Sequence, residues 1–368
     1  MLLPPEIMTP ALVVDQARLE RNVAEMAASA AARGIRLRPH AKTHKTAQVA
    51  RRQLGLGATG LTVATIGEAE AFAAAGVTDL FVAYPLWPSR DRLGRLRAVA
   101  ERVTLRLAID SATSAALLAP LSRCDGPPQV LVEIDSGHHR TGVAPGQAGE
   151  VALAAARAGL TVAGVFTFPG HSYAPGAREK AAAQEAAALS AAAESLRGAG
   201  LAGDAAYLER SGGSTPTALV RAEPPLTELR PGVYVFNDAQ QLELGVCRSD
   251  QIALVAAATV VSRPAPGRLV LDCGSKVLGA DRQPWSSGFG RLLGWPDACI
   301  VALSEHHATV MLATGSAQAE TAAPELGEVV AVAPNHVCAA VNLANDLLVI
   351  SDGAVVGTWS VIARGANA

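Results

Sequence analysis

The chain lacks a marked imbalance of charge. Its 31 lysines and arginines face 33 aspartates and glutamates, and the formal net charge is −2. Binding to nucleic acid or to an anionic membrane surface relies on an excess of positive charge, which this composition does not provide. We therefore expect a small molecule as the binding partner, and neither nucleic acid nor a membrane.

Long apolar runs are also lacking. No stretch approaches the roughly 20 consecutive apolar residues that a transmembrane helix requires. The first residues, MLLPPEIMTP, have neither the basic start nor the uninterrupted apolar segment of a secretory signal. The sequence thus predicts a cytoplasmic protein.

Cysteine is scarce, with five residues in a chain of 368. An odd number of widely spaced cysteines argues against a disulfide framework and favours reduced thiols. We interpret four of them as core residues: Cys124, Cys247, Cys273 and Cys299. The fifth, Cys338, is considered below with His336.

The pattern of apolar residues predicts repeated βα units. Half of the residues are hydrophobic, and from residue 15 onward alanine-rich amphipathic stretches alternate with short runs of branched apolar residues. In the first stretch Leu19, Val23, Met26 and Ala30 fall on one helical face, and Gly34 can end the helix. Eight runs are strand-like: IRLRPH, TGLTVA, DLFVAY, TLRLAID, QVLVEID, VAGVFTF, AAYLERSG and LTELRPGVYVF.

Eight strands that alternate with helices predict an α/β fold, a (β/α)₈ barrel of the TIM type, over residues 12–242. From residue 243 to the end, short β-rich runs and turn residues replace the helical period, as in RLVLDCG and VVAVAPN. We expect a mainly antiparallel β domain made of residues 1–11 and 243–368.

Polar residues gather where the predicted barrel strands end, which is where active sites of such barrels lie. A single lysine or histidine at a strand end is usually a solvated or structural residue, but here several strands share the feature. These residues are His40, Lys42, His44 and Lys45 after the first strand, Asp135, Ser136, His138, His139 and Arg140 after the fifth, Gly170, His171, Ser172 and Tyr173 after the sixth, and Arg230 and Gly232 in the eighth.

The segment SGGSTPTAL, residues 211–219, follows the seventh predicted strand. Its small residues let backbone N–H groups approach a phosphate, and the helix start behind them favours an anion. Such turns are common and most bind nothing. The segment indicates a phosphate site because barrels often hold a phosphate group after strands 7 and 8.

His336 and Cys338 form the sequence HVC in a predicted β segment. Residues two apart in a strand point to the same face, so the imidazole and the thiolate can share one ion. Two ligands are too few for a closed structural zinc site, and Cys338 can equally be a buried core residue. By itself the pair is weak support for a metal site.

The segment RPHAKTHK, residues 38–45, read with TPALVVD upstream and HVC downstream, resembles the D-serine dehydratase and D-threonine aldolase family. These are fold-type III enzymes that use pyridoxal phosphate (PLP) and are related to alanine racemase. TPALVVD resembles the family's segment that leads into the barrel. Further matches follow in order over nearly the whole chain: VEIDSGHHRTGV, FTFPGHSY, SGGST, LRPGVYVFND, SEHH and HVC.

The resemblance implies roles for the matching residues. Lys42, the first lysine of the motif, would form the Schiff base with PLP and later move the Cα proton of the substrate. Arg140 would hydrogen-bond the phenolic oxygen of the cofactor, and the catalytic residues His171 and Tyr173 would lie near the β-substituent of the substrate. The implied cofactor-binding residues are Lys42, His40, Arg140, Tyr173, Gly213, Ser214, Thr215, Arg230, Gly232 and Val233.

The resemblance also implies that the HVC pair binds a metal. His336 and Cys338 would hold a divalent ion that keeps open positions for substrate. A thiolate and an imidazole favour zinc over manganese or magnesium.

The implied enzyme is a lyase that acts on a β-hydroxy D-amino acid. If the metal assists the departure of hydroxide, D-serine gives pyruvate and ammonia. If a base such as His171 takes the hydroxyl proton instead, D-threonine is cleaved to glycine and an aldehyde. Cys338 favours the D-serine dehydratase, because aldolases of the family tend to have aspartate at that position. D-threo-3-hydroxyaspartate is a further candidate substrate.

Other functions stay open. Arg230 resembles the arginine that faces the pyridine nitrogen in alanine racemases, which would suit an amino acid racemase. A non-catalytic PLP-binding protein is a second alternative, although the β domain and the metal pair would then have no role. A barrel without any cofactor is the third. The resemblance further implies a homodimer.

Overall fold

The structure, a computed structural model, describes residues 1, 3–4, 6–201, 208–220, 225–312 and 323–368. The chain divides into two compact units. The first, called the β unit, comprises Met1–Glu25, Thr43–Gln48 and Val233–Gly365. The second, called the barrel unit, comprises Met26–Lys42, Val49–Gly232 and Ala366–Ala368. These bounds differ from the predicted ranges because residues 12–25, 43–48 and 233–242 also belong to the β unit and residues 366–368 belong to the barrel unit.

The chain begins with strand β1 (Ala11–Asp15) and helix α1 (Gln16–Ala32). The apolar residues of α1 that share one face in the sequence pattern are all buried. Just after the helix, Gly34 has a φ of +64°, a left-handed conformation that glycine adopts without steric cost. The N–H of Ile35 then donates to the carbonyl of Ala30 at 3.0 Å and closes the helix end.

In its described residues the barrel unit contains eight parallel strands, and they confirm the predicted barrel. In chain order they are β2 (Arg36–Leu37), β3 (Leu61–Val63), β4 (Asp79–Pro85), β5 (Thr104–Ile109), β6 (Gln129–Glu133), β7 (Thr161–Phe166), β8 (Glu209–Gly212) and β9 (Glu228–Leu229). Consecutive strands pair from β3 to β9, and β2 pairs with β9. An isolated parallel bridge between His40 and Thr62 joins the two ends of the sheet. Residues 205–207 of the predicted strand AAYLERSG lie outside the described residues.

Helices alternate with these strands along the chain. They are α2 (Ala47–Gly55), α3 (Ile66–Ala74), α4 (Arg90–Ala100), α5 (Ala112–Leu118), α6 (Ala148–Arg157), α7 (Arg178–Gly198) and α8 (Thr215–Ala218). In the described part of the chain, no helix has both the length and the apolar character needed to cross a membrane.

A layer of charged side chains lies at the N-terminal end of the barrel strands. Arg38 is fully buried and donates to Glu228 at 2.9 Å and to Asp79 at 2.5 Å. Arg106 donates to Asp79 at 2.6 Å and lies 3.4 Å from a carboxylate oxygen of Glu209. Asp79, Glu209 and Glu228 are the first residues of their strands. This layer is at the end of the barrel opposite to the one where catalytic residues of TIM barrels are found.

The β unit contains a sheet of nine strands in its described part. Besides β1 they are β10 (Leu254–Ala265), β11 (Arg268–Leu271), β12 (Gly290–Leu293), β13 (Cys299–Leu303), β14 (Ala308–Met311), β15 (Val329–Pro334), β16 (Asp346–Ser351) and β17 (Ala354–Ser360). All pairs are antiparallel except β1 with β16. The expectation of a mainly antiparallel domain is confirmed. TPALVVD does not lead directly into the barrel, however, because β1 is a strand of this sheet.

Short helices interrupt the described part of the β unit, namely α9 (Ala239–Glu243), α10 (Ser275–Leu278) and α11 (Val337–Leu343). The sequence showed hardly any helical period here because helices this short complete at most two turns. One consequence corrects the expectation for the HVC pair. His336 is the residue before α11 and Cys338 lies within that helix, so the predicted β geometry of the pair was wrong.

Candidate active site

Lys42 lies in the barrel unit on a 3₁₀ turn, Ala41–Thr43, directly after the strand extension at His40. The N–H of His40 donates to the carbonyl of Pro231 at 2.9 Å. The Nδ1 atom of His40 in turn accepts the N–H of Lys42 at 3.4 Å. His40 therefore fixes the backbone that carries the lysine.

Phe168, which follows β7, is the side chain around which the predicted site residues meet. The Nζ of Lys42 lies 5.6 Å from the centre of its ring, and the Cζ of Arg140 lies 5.2 Å from it. Both are cation–π distances. The ring of Tyr173 is 6.3 Å away, centre to centre. The sequence analysis did not select Phe168, although an aromatic residue directly after a barrel strand was a usable signal.

His138 packs edge-on against Phe168, with 5.5 Å between the ring centres. A Cβ at Gly170 would lie 2.6 Å from the His138 ring, so glycine is required there. Burial, followed by the charges of Arg140 and His171, lowers the pKa of His138. This shift favours the neutral imidazole.

His171 lies on the 3₁₀ turn Gly170–Ser172. Its Nε2 atom is 3.0 Å from Oε1 of Gln184, a residue of α7 that the sequence analysis did not select. Its Nδ1 atom is buried and has no hydrogen-bond partner among the described residues. One nitrogen thus fixes the ring, and the other can exchange a proton with a bound molecule.

The SGGST segment forms the end of β8 and the start of α8. Gly213 has a φ of +91°, and a Cβ there would lie 2.9 Å from Cδ2 of Leu229. Ser214 caps α8 by accepting the N–H of Thr217 at 3.1 Å. The N–H of Thr215 donates to the hydroxyl of Tyr173 at 3.3 Å. This contact joins the predicted phosphate segment to the residues around Phe168.

A buried carboxyl supports the same segment. Glu185 of α7 accepts the N–H of Gly213 at 2.5 Å. Burial raises the pKa of Glu185 to about 7. No sequence pattern distinguished this residue, because one glutamate in an alanine-rich helix is normally a solvated side chain.

Arg230 is buried inside the barrel. Its guanidinium carbon lies 5.4 Å from the ring centre of Phe81 and 5.0 Å from that of Phe166. Its Nη2 donates to the carbonyl of Thr167 at 2.5 Å, whereas its Nε has no partner among the residues that the structure describes. Burial lowers the pKa of Arg230. A buried N–H without an acceptor indicates that a bound group completes this position.

Two further predicted residues are neighbours in the chain at the point where it passes from the barrel unit to the β unit. Gly232 is the last residue of its segment in the barrel unit, and Val233 is the first residue of the next segment in the β unit. Both are buried.

Two residues from the polar strand ends have partners of another kind. Lys45 lies in the β unit, where its Nζ donates to Oδ1 of Asn342 at 2.7 Å. The side chain of His139 is 81% exposed and its Nδ1 lies 2.7 Å from a carboxylate oxygen of Asp135. Neither contact points to a role in the cluster around Phe168.

In the β unit, His336 and Cys338 come together although they are not on a strand. Their side chains are hydrogen-bonded to each other, and the Sγ of Cys338 lies 3.3 Å from the hydroxyl of Thr43. The Nδ1 of His336 lies 2.7 Å from Oδ2 of Asp281. The buried Asp238 accepts the N–H of Val337 at 3.1 Å and so holds the start of α11.

The surroundings of His336 are negatively charged. Burial lowers the pKa of His336, but Cys338, Asp281 and Asp238 raise it to about 11. Within the described ranges, no group of three or more His, Cys, Asp and Glu side chains forms a ready metal site. The pair therefore offers two protein ligands in an environment that attracts a cation.

Comparison with known proteins covers both units. The family model of the alanine racemase N-terminal domain matches residues 14–240, and that of a serine dehydratase domain matches residues 253–350. The chain is 37% identical to D-threo-3-hydroxyaspartate dehydratase of Delftia sp. (strain HT23), over 90% of this chain and 91% of the relative. It is 33% identical to D-threonine aldolase of Arthrobacter sp., over 97% of this chain and 93% of the relative.

Solved structures give the same grouping. The Delftia dehydratase superposes with a TM-score of 0.88 at 34% identity, over 98% of this chain and 99% of that chain. D-threonine aldolase from Filomicrobium marinum superposes with a TM-score of 0.84 at 29% identity, over 100% and 99%. Two variants of the Delftia enzyme replace a histidine and a cysteine by alanine at positions two apart, and the cysteine variant is described as the metal-free form.

Proposed function

The chain belongs to the alanine racemase-like, fold-type III family of PLP enzymes, and from this premise we propose that it is a dehydratase of a β-hydroxy D-amino acid. It is a PLP-dependent lyase. The proposed reaction converts D-serine to pyruvate and ammonia, or D-threo-3-hydroxyaspartate to the corresponding 2-oxo acid and ammonia. We include D-threo-3-hydroxyaspartate along with D-serine because it is the substrate in the name of the Delftia relative.

The barrel unit fits PLP. The Nε of Arg230, buried without a partner among the described residues, suits the pyridine nitrogen. The small residues of SGGST and the start of α8 suit the phosphate. Lys42 offers an amine for the cofactor's aldehyde. In this unit, the residues that would hold the cofactor are Lys42, His40, Arg140, Tyr173, Gly213, Ser214, Thr215, Arg230 and Gly232.

When bound, PLP supplies the electron withdrawal that makes the Cα proton of the substrate acidic. The amine of Lys42 would take this proton, and His40 would keep the lysine backbone in place. The Nδ1 of His171, which has no partner among the described residues, would donate the proton that the departing hydroxyl needs when the ring is protonated, while Gln184 fixes the other nitrogen. Tyr173 would orient the phosphate segment through its contact with the N–H of Thr215.

The β-unit pair fits a divalent metal. A carboxylate on one ring nitrogen, as Asp281 is on His336, is the arrangement that orients metal-bound histidines. An imidazole and a thiolate suit zinc, with manganese or magnesium as alternatives. When bound, the ion would supply Lewis acidity toward a hydroxyl oxygen, which is a poor leaving group.

The contact between His336 and Cys338 is the observation that favours dehydration over racemisation. The pair fits a metal, and exchanging a Cα proton needs no metal. The Delftia variants support this choice, since a histidine and a cysteine at the same spacing were replaced there and the cysteine variant was solved in a metal-free form. A retro-aldol cleavage is the second candidate, because a D-threonine aldolase covers 97% of this chain. Homodimerisation and a cytoplasmic location complete the proposal.

The test is an assay of the purified protein with D-serine, D-threo-3-hydroxyaspartate, D-threonine and D-alanine, with and without a chelator. We expect a 2-oxo acid and ammonia from D-serine or D-threo-3-hydroxyaspartate. This activity should be lost when the chelator is present. Glycine from D-threonine would favour the aldolase. Interconversion of alanine enantiomers that the chelator does not affect would refute both lyase activities.

A further inference from the structure

We propose that Glu185 is a positioning residue that links cofactor retention to pH, by supporting the phosphate segment when protonated and repelling the phosphate when ionised. The inference rests on the proposed function, because it requires the phosphate of PLP to bind at the SGGST segment.

The geometry places one carboxyl group directly against this segment. Glu185 is 2% exposed, and its Oε1 accepts the N–H of Gly213 at 2.5 Å. A Cβ on Gly212 would collide with the same oxygen. The two glycines therefore have no space between them and the carboxyl, and a change in its charge acts on the N–H groups of the segment at close range.

The charge of Glu185 is only partly balanced. Arg33 donates to the carbonyl of Ala218 at 2.9 Å, and Arg230 donates to that of Thr167. Within the described residues neither guanidinium comes within ion-pair distance of Glu185. The groups that face the carboxyl are the Gly213 N–H, the Thr217 hydroxyl, Arg33 and Arg230, while His171 bonds to the neighbouring Gln184.

Linkage gives the sign of the effect. Burial already raises the pKa of Glu185 to about 7, and a phosphate dianion beside it would raise the pKa further. Affinity for the phosphate must then fall as the pH rises through this range. A further rise of about one pKa unit corresponds to about a tenfold loss of affinity. The protonated carboxyl still accepts the Gly213 N–H through its carbonyl oxygen, so the segment keeps its support.

The experiment compares PLP with pyridoxal, which lacks the phosphate. Dissociation constants of both are measured on the apoprotein at about pH 6 and about pH 8.5, on either side of the Glu185 pKa. The ratio of the pyridoxal constant to the PLP constant isolates the phosphate and cancels the titration of Lys42. The variants are Glu185→Gln, which keeps an oxygen acceptor, and Glu194→Gln, an exposed site on the same helix.

We expect this ratio to be smaller at the higher pH than at the lower pH. The fall should be about tenfold larger in the wild type and in Glu194→Gln than in Glu185→Gln. Equal pH dependence in all three proteins would overturn the inference alone. Failure of the wild type to bind PLP or pyridoxal at either pH would overturn the proposed function as well.

A second measurement needs no variant. Calorimetric titrations of the wild type at about pH 7.5, where the phosphate of free PLP is already almost entirely a dianion, in buffers of different ionisation enthalpy, give the number of protons taken up on binding. Binding of PLP should be accompanied by the uptake of a larger fraction of a proton than binding of pyridoxal. Equal uptake for the two ligands would contradict a role for Glu185.

Discussion

At the scale of single residues, the site depends on side chains whose contacts come from distant parts of the chain. Phe168 has Lys42 and Arg140 over its ring. Gln184 fixes His171 and leaves its Nδ1 for a bound molecule. The ring is therefore held for proton transfer before any substrate arrives, which is how an enzyme lowers the cost of orientation.

Replacing His171 tests this assignment. We expect His171→Ala to lower kcat by roughly 10²- to 10⁴-fold, the range of a lost general acid or base. The visible absorption of the bound cofactor should be unchanged, because His171 does not hold it. His139→Asn is the control, since His139 is exposed and has a φ of +56° that asparagine tolerates. A loss of cofactor absorption in His171→Ala would assign the residue to binding instead.

Replacing Asp281 tests the metal pair. Asp281→Asn keeps the shape but removes the carboxylate on His336, so zinc affinity should fall by roughly 10- to 100-fold. Competition with a chromophoric chelator measures this change. Asp352→Asn, an exposed site with a φ of +49°, is the control. Unchanged zinc binding in Asp281→Asn would show that the carboxylate does not orient a metal ligand.

These residues also mark what the sequence could not provide. The active sites of TIM barrels lie at the C-terminal ends of the strands. This rule alone groups the residues at strand ends, which are Lys42, Arg140, His171 and Tyr173. Asp281 lies in a segment without helical or strand period, and its contact with His336 spans 55 positions. No local pattern encodes such a contact.

At the scale of elements, the segment between β8 and α8 sets the geometry of the phosphate site. Its backbone adopts a left-handed conformation at Gly213, and Leu229 of β9 lies beside it. The capping box of Ser214 and Thr217 then starts α8. A turn, a close contact and a helix cap thus combine within five residues.

Gly213→Ala should disturb this element without unfolding the barrel. A Cβ at a φ of +91° is strained, and it would lie 2.9 Å from Leu229. The left-handed conformation alone costs a non-glycine residue about 1–2 kcal/mol, so PLP affinity should fall by about tenfold or more. Fluorescence titration of the apoprotein measures it. Gly176→Ala, also at positive φ but with open space for a Cβ, controls for strain alone. Equal losses in the two variants would argue against a role of the turn in cofactor binding.

Elements that belong to the repeated βα pattern were predictable, and the isolated short helices of the β unit were not. The buried face of α1 and all eight barrel strands follow from burial, because a slip in the pattern would expose apolar side chains. Helix α11 has seven residues, too few for a helical period to stand out from a strand pattern. This is why the HVC pair was assigned to a strand.

At the scale of the whole molecule, the barrel unit carries its charges in two places. One is the site around Phe168, and the other is the layer formed by Arg38, Asp79, Arg106, Glu209 and Glu228. Removing one partner from such a layer leaves an uncompensated buried charge. The layer joins four strands of the barrel and the residue after β2, so its ionisation affects the stability of the unit.

The stability of the protein should therefore depend on pH through Glu209. Burial, and then the neighbouring Glu228, raise the pKa of Glu209 from 4.5 to about 7. A raised pKa means that the folded state holds the proton more tightly, so this contribution is complete below about pH 4.5 and is lost as the pH rises through 7. A rise of the pKa from 4.5 to about 7 corresponds to a loss on the order of 3 kcal/mol. Denaturant unfolding of the apoprotein across this range measures it.

Glu209→Gln should weaken this pH dependence, because the neutral amide does not ionise, while Glu185, whose pKa burial also raises to about 7, accounts for the part that remains. Glu194→Gln, exposed on α7, should leave it as in the wild type. The same slope in all three proteins would show that the charged layer does not control stability.

The most direct test of the central claim is to find which lysine binds the cofactor. Reduction of the PLP-loaded protein with borohydride fixes the cofactor on its lysine, and mass spectrometry of the peptides locates it. Lys42 should carry the label, since its amine lies with Arg140 at the Phe168 ring, whereas Lys45 is bonded to Asn342. A label on Lys45, or no label on either lysine, would contradict the account.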